Sequence, residues 1–235
     1  MKKVIHTAQS RGQADHGWLK AKHSFSFANY YDKERMGFGA LRVLNDDIIA
    51  PGMGFGTHPH NDMEIITIPL EGDLEHKDSM GNGEILHSGE IQVMSAGTGI
   101  EHSEFNPNSD LDTKLLQIWV KPKSKGATPR YEQFFINNDA KDSFIQIVSP
   151  DKNDAGSWIH QDAWFYLGEF SKEHSHSINL NKENSGFYIF NIEGNAEVSG
   201  TELSARDGLG IWESSAIELN VNPGSKLLVM EIPMQ

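Results

Sequence analysis

The sequence predicts an all-β protein built as two related β-barrels, and three observations carry that prediction. Short runs rich in β-branched and aromatic residues alternate with glycine-containing turns at roughly eight- to twelve-residue intervals. Almost no stretch carries the 3.6-residue periodicity of an amphipathic helix. The second half also repeats, weakly, the signals of the first.

Residues 1–30 mix polar turns with aromatics, Trp18, Phe25, Phe27 and Tyr30 among them. Alternation in His23-Ser24-Phe25-Ser26-Phe27 predicts a short strand with one apolar face. His16 and His23 are expected to hydrogen-bond near a barrel mouth rather than to bind a metal. A strand over 39–44 is ended by a turn at Asn45-Asp46-Asp47, Ile48-Ile49-Ala50 leads to Pro51-Gly52, and strands follow over 64–70, 74–78, 84–86, 91–94 and 115–120. Lys121, Lys123 and Lys125 with Pro122 and Pro129 read as a solvated join within 121–145. Beyond it, strands are predicted within 157–170 and over 187–192 and 227–232. The expected division is a first barrel over 1–125, a connecting segment over 126–145 and a second barrel over 146–235.

The halves can be superimposed. Glu71-Gly72-Asp73-Leu74-Glu75 matches Glu193-Gly194-Asn195-Ala196-Glu197, and Ile100-Glu101-His102-Ser103-Glu104 matches Ile217-Glu218-Leu219-Asn220-Val221. The first match sets Leu180 and Lys182 opposite His58 and His60. The second sets Leu219 and Val221 opposite His102 and Glu104. His174 and His176 fall six residues too early and are expected to lack a partner strand, so the second barrel is expected to bind no metal.

Chemistry concentrates between Gly52 and Phe105, which opens G-M-G-F-G-T-H-P-H-N-D-M-E and closes S-A-G-T-G-I-E-H-S-E-F. In a strand, residues two apart share a face. His58 and His60 therefore project together, as do His102 and Glu104, and two such strands side by side gather three imidazoles and a carboxylate. That donor set suits Fe(II), Mn(II), Ni(II), Cu(II) or Zn(II). An H-x-H pair alone is weak evidence, since the chain has eleven histidines and a second pair at His174 and His176. An H-x-E strand introduced by a glycine-rich turn is much harder to obtain by chance. Glu64 and Glu104 are both candidates for the carboxylate, because strand parity does not choose between them.

Composition narrows the function. Lys+Arg 20 against Asp+Glu 33 gives a formal charge of −13, which repels nucleic acid and anionic membrane. No cysteine is present, so thiolate catalysis, disulfides and cysteine-bound zinc are excluded. No signal-peptide pattern or membrane-length apolar run is seen, and a soluble cytoplasmic protein is expected.

The spacing G-x5-H-x-H-x3-E and the glycine-rich approach to a third histidine resemble the two cupin motifs. The fuller set is more specific: H-S-F-S-F, G-F-G-A-L-R-V-L-N-D-D, T-H-P-H-N-D-M-E-I-I-T, L-E-H-K-D-S-M-G-N-G, S-A-G-T-G-I-E-H-S-E and L-Q-I-W. Together, from Arg11 to about Pro150, these resemble the pirin family of bicupins, in particular its bacterial branch with quercetin 2,3-dioxygenase activity. The resemblance implies two cupin (jelly-roll) barrels packed face to face, with one divalent transition metal per chain in the first. Fe(II) is favoured, with Mn, Ni, Cu and Zn also accommodated. It implies His58, His60, His102 and Glu104 as ligands, with Glu64 as an outer partner behind them.

The activity so implied is cleavage of a flavonol's central ring by O2 with loss of CO, Glu104 or Glu64 accepting the proton of the flavonol's 3-hydroxyl. Phe38, Phe55, Met94 and Phe105 are the expected walls for a flat aromatic ligand. Two other readings stand beside the dioxygenase. One is a metal- or redox-sensing protein that modulates a regulatory protein partner, as eukaryotic pirins resemble doing. The other is a different cupin enzyme acting on another metabolite.

Overall fold

The computed structural model describes residues 1–136 and 141–234. Among them the one regular element that is not a strand is the 3-10 turn Ala8–Ser10, and no helix is long and apolar enough to cross a membrane. Each barrel consists of a seven-stranded and a four-stranded sheet. In the first half, Glu64–Glu71, Thr113–Val120 and Leu41–Ile49 form the centre of the large sheet. The small sheet runs Gly54–His60, Ile100–Phe105, Leu74–Asp78, Gly83–Leu86. The two large sheets face each other across one shared core, with Leu44, Ile66 and Ile118 from one half and Phe165, Phe190 and Met230 from the other. Both faces of the strand Glu64–Glu71 are therefore covered, which is why it reads as a continuous apolar run rather than an alternation. Ile66 and Ile68 face the other barrel, whereas Ile65 packs with Met94, Ala96 and Ile100.

The matched E-G turns are the same device in both halves. Gly72 and Gly194 take φ of +74° and +71°, and a Cβ on Gly72 would lie 2.7 Å from the Asp112 carbonyl oxygen.

Several expectations need correction. Asn45-Asp46-Asp47 is not a turn: Leu41–Ile49 runs through it, paired to Leu19–His23 on one side and Thr113–Val120 on the other. Ladder bonds satisfy the backbone, and the polar side chains find partners: Asn45 meets His23 at 2.8 Å, and Asp46 accepts from Arg11 at 3.2 Å and from Arg206 at 3.3 Å. The predicted strand at 23–27 lies earlier, at Leu19–His23.

The domain limits also move. Lys2–His6 pairs with Gly208–Trp212 and so belongs to the second barrel's large sheet. Arg130–Phe135, inside the expected connection, pairs with Glu90–Ser95 and so belongs to the first. Residues 137–140 of that connection lie outside the described residues.

The repeat alignment shifts as well. His174–Asn179 does have a partner strand, Ala216–Val221, with His176 opposite Leu219 as His58 is opposite His102. His176 and Ile178, not Leu180 and Lys182, thus correspond to His58 and His60. The error arose because the second half has a longer stretch before its E-G turn: fifteen positions from Ile178 to Glu193, against eleven from His60 to Glu71.

Candidate metal centre

The centre is built on the small sheet of the first barrel. Ile100–Phe105 pairs with Gly54–His60 on one side, which sets His102 opposite His58 and Ile100 opposite His60. On its other side Leu74–Asp78 sets Asp78 opposite His102 and His76 opposite Glu104. Strand alternation turns His102 and Glu104 inward, at 1% and 3% exposure, and leaves Glu101 outside.

Donor nitrogens of His58, His60 and His102 lie within 4.8 Å of one another. The Nε2 atoms of His58 and His102 approach to 3.0 Å. His58 Nδ1 donates to the Gly56 carbonyl at 2.8 Å, which leaves its Nε2 lone pair facing the centre. Burial, then the neighbouring His102 and His58, lowers His60 to about 4. Burial, then His58 and His76, lowers His102 to about 3. Both rings are neutral at physiological pH, the form that ligates a metal.

Glu104 Oε2 accepts from Gln117 at 2.9 Å and its Oε1 from Gln92 at 3.4 Å. It lies in a second group with His76 and His102, again with donor atoms within 4.8 Å of one another. Convergent neutral imidazoles, a carboxylate and a buried, unpartnered His102 Nδ1 fit a divalent transition-metal site.

Beside the donors opens a cleft of about 450 Å³ that reaches His58 and Glu104. Its apolar walls are Trp18, Phe27, Phe55 and Trp119, paired edge to face as Trp18–Phe55 at 5.3 Å and Phe27–Trp119 at 5.4 Å. Trp119 also packs against His60 at 4.9 Å. Asn45, Asp47 and Gln117 supply the polar side. Burial, then Asp46 and Glu104, pushes the Asp47 carboxyl up to about 8, and its Oδ1 is buried without a partner. His23 buttresses the cleft through Asn45, close to the role expected of it.

Of the four expected walls, only Phe55 lines the cleft. Phe38 sits in the core between the barrels, 5.5 Å from Tyr188 and 6.0 Å from Trp212. Met94 is buried with Ile65, Ala96 and Ile100, and Phe105 is on the opposite face of its strand from Glu104. Glu64 does not back the cluster of His58, His60, His102 and Glu104. The chain turns at Asp62, whose φ is +48°, so parity is not carried from His60 to Glu64. Glu64 shares the face of Ile66 and Ile68, accepts from Ser95 at 2.6 Å and lies by His160 and Arg130 at the junction of the barrels. Burial, only partly offset by Ser95 and His160, raises its pKa.

Trp18, Phe27, Asn45, Asp47, Gln117 and Trp119 were not among the expected site residues. Trp119 and Gln117 stand in the motif L-Q-I-W, where they fall on one strand face.

Known proteins resemble this chain over nearly its whole length. The sequence pattern of the Pirin family matches residues 4–120, and that of the quercetinase C-terminal cupin domain matches residues 146–232. A protein of Escherichia coli K12 named quercetin 2,3-dioxygenase is 47% identical over 229 residues, covering 97% of this chain and 98% of that one. A pirin-like protein of Caulobacter vibrioides is 42% identical over 222 residues, covering 94% of this chain and 95% of that one. The crystal structure of the bacterial pirin YhhW of Escherichia coli in complex with nickel(II) superimposes with a TM-score of 0.95 at 44% identity, covering 100% of both chains. The likeness therefore runs well past Pro150.

Proposed function

The chain belongs to the pirin family, and on that footing we propose that it is a metal-dependent dioxygenase that opens the central ring of flavonols such as quercetin with O2 and releases CO. The observation that carries this reading is the aromatic-walled cleft of about 450 Å³ ending at His58 and Glu104, a size and lining suited to a flat aromatic ligand.

His58, His60, His102 and Glu104 would hold a single divalent ion, Fe(II) being the favoured one. When bound, the ion lowers the pKa of a hydroxyl that it contacts and offers Lewis-acid charge. The residues of the chain do the rest. Trp18, Phe27, Phe55 and Trp119 pack against the ligand and keep water from its reacting edge. Glu104, oriented by Gln117 and Gln92, accepts the proton of the flavonol 3-hydroxyl. Asp47, protonated at neutral pH, donates a hydrogen bond to a ligand oxygen and thereby sets its orientation in the cleft.

The test is O2 uptake and CO release on adding quercetin to the metal-loaded protein and to the same preparation after chelation. Turnover in the first alone is expected. Absence of turnover with Fe, Mn, Ni, Cu and Zn alike would remove the proposal and return the site to sensing or to another substrate.

A further inference from the structure

His76 stands outside the set of His58, His60, His102 and Glu104, yet its surroundings are those of a ligand. The ring is fully buried, lies 5.3 Å from that of His102, and stacks on Tyr131 at 4.6 Å and 19°, which fixes its plane. Its Nε2 lies 3.3 Å from Asp78 Oδ2. Asp78 is itself pinned by the Met80 amide at 2.9 Å, the Asn82 amide at 3.0 Å and the Asn82 side chain at 2.7 Å. A carboxylate so placed accepts, so Nε2 carries the hydrogen and Nδ1 carries the lone pair. That Nδ1 is buried and has no hydrogen-bond partner among the described residues.

A buried imidazole kept only for packing usually has both nitrogens satisfied, since an orphaned polar atom costs about 1–3 kcal/mol. A metal-bound imidazole, by contrast, characteristically gives its second nitrogen to a carboxylate, as His76 does to Asp78. Donor atoms of His76, His102 and Glu104 lie within 4.8 Å of one another, and all three residues are buried.

We propose that His76 is a metal ligand: with His102 and Glu104 it forms an inner two-histidine, one-carboxylate station that shares those two residues with the set of His58, His60, His102 and Glu104. The inner set is the donor combination of non-haem Fe(II) sites. The strand pairing explains how the two sets come to overlap, because Ile100–Phe105 is the middle strand and receives His58 from one neighbour and His76 from the other. The inference rests on the metal reading of the barrel and adds a fifth donor to it.

The test is Co(II) binding to chelator-stripped protein, read by the visible d–d absorption and by competition with a chromophoric chelator. The parent, the double variant His58→Ala/His60→Ala and that double variant with His76→Phe added are compared. Phenylalanine keeps the stack on Tyr131, and His76→Gln serves as the second version should it fold better, each being checked by thermal unfolding without metal. The double variant is expected to retain one equivalent of Co(II) at an affinity more than about 100-fold below the parent's, beyond the range of outer partners, and loss of His76 to weaken it by about tenfold or more again. A double variant that binds no Co(II), or whose affinity is indifferent to His76, overturns the inner station. A parent that binds no Co(II) would instead strike the metal reading on which it rests.

Discussion

Asp47→Asn separates what a buried acid contributes to ligand orientation from what it costs the fold. Asp47 is 5% exposed, and its carboxyl is pushed up to about 8 by burial and by Asp46 and Glu104, from an ordinary 3.8. Between those two pH values the folded chain holds a proton that the unfolded chain has released. Folding stability therefore falls as pH rises through that window. At about 1.4 kcal/mol per unit, the penalty reaches about 4 kcal/mol at pH 7 and levels off near 6 kcal/mol above pH 8. Asparagine has nearly the same shape and does not ionise. The variant should match the parent at pH 4 and exceed it by several kcal/mol at pH 7 and above. Urea unfolding at pH 4, 5.5, 7 and 8.5 measures this, with chelator present because a bound dication would favour the ionised acid. A gain that is absent at pH 7, or equal at all four values, would refute the assignment of a neutral Asp47.

Three further outcomes are expected. Glu104→Gln should weaken metal binding by more than about 100-fold, beyond the range of outer partners, while Glu64→Gln should leave it unchanged; competitive chelator titration decides, and an emptied site in Glu64→Gln would restore that residue to the centre. Phe38→Ala should cost about 3–5 kcal/mol of stability in denaturant unfolding and leave metal affinity intact, because its ring fills the space between the barrels. His6 is buried against Tyr188, and burial, then Arg35, lowers it to about 4 from 6.5. His6 should thus contribute about 3 kcal/mol of lost stability as pH falls from 6.5 to 4, and the His6→Phe profile should differ from the parent's by that amount; identical profiles would place this acid lability elsewhere.

The convergence of His58, His60 and His102 beside Glu104 was legible because each H-x-H or H-x-E element obeys the two-residue period of a strand, a rule that acts within one segment. Glu64 misled because the same rule was extended across Asn61-Asp62-Met63, where the backbone reverses and parity is lost. The cleft was hidden for a different reason. Asn45 and Asp47 have the composition of a turn, and only the pairing of Leu41–Ile49 to strands on both sides shows them to be polar side chains on a buried strand. Phe38 and Phe55 are equally apolar in sequence, and what separates them is which face of which sheet each meets, a tertiary fact. His76 was visible in L-E-H-K-D, but only the pairing of Leu74–Asp78 with Ile100–Phe105 sets it opposite Glu104.

The strand Lys2–His6 has a consequence for biogenesis. Lys3 lies against Ile211, so a strand made about 200 residues ahead of its partner completes a sheet whose other strands all follow it at a distance in the chain. At translation rates of about 5–20 residues per second, roughly 10–40 s separate the two partners. Throughout that interval the amino-terminal strand has no ladder to join. Once made, Gly208–Trp212 presents an open edge until the strand arrives. Two nascent chains on one messenger could fill each other's edges, so crowded synthesis should yield exchanged dimers in which each molecule closes its neighbour's second barrel.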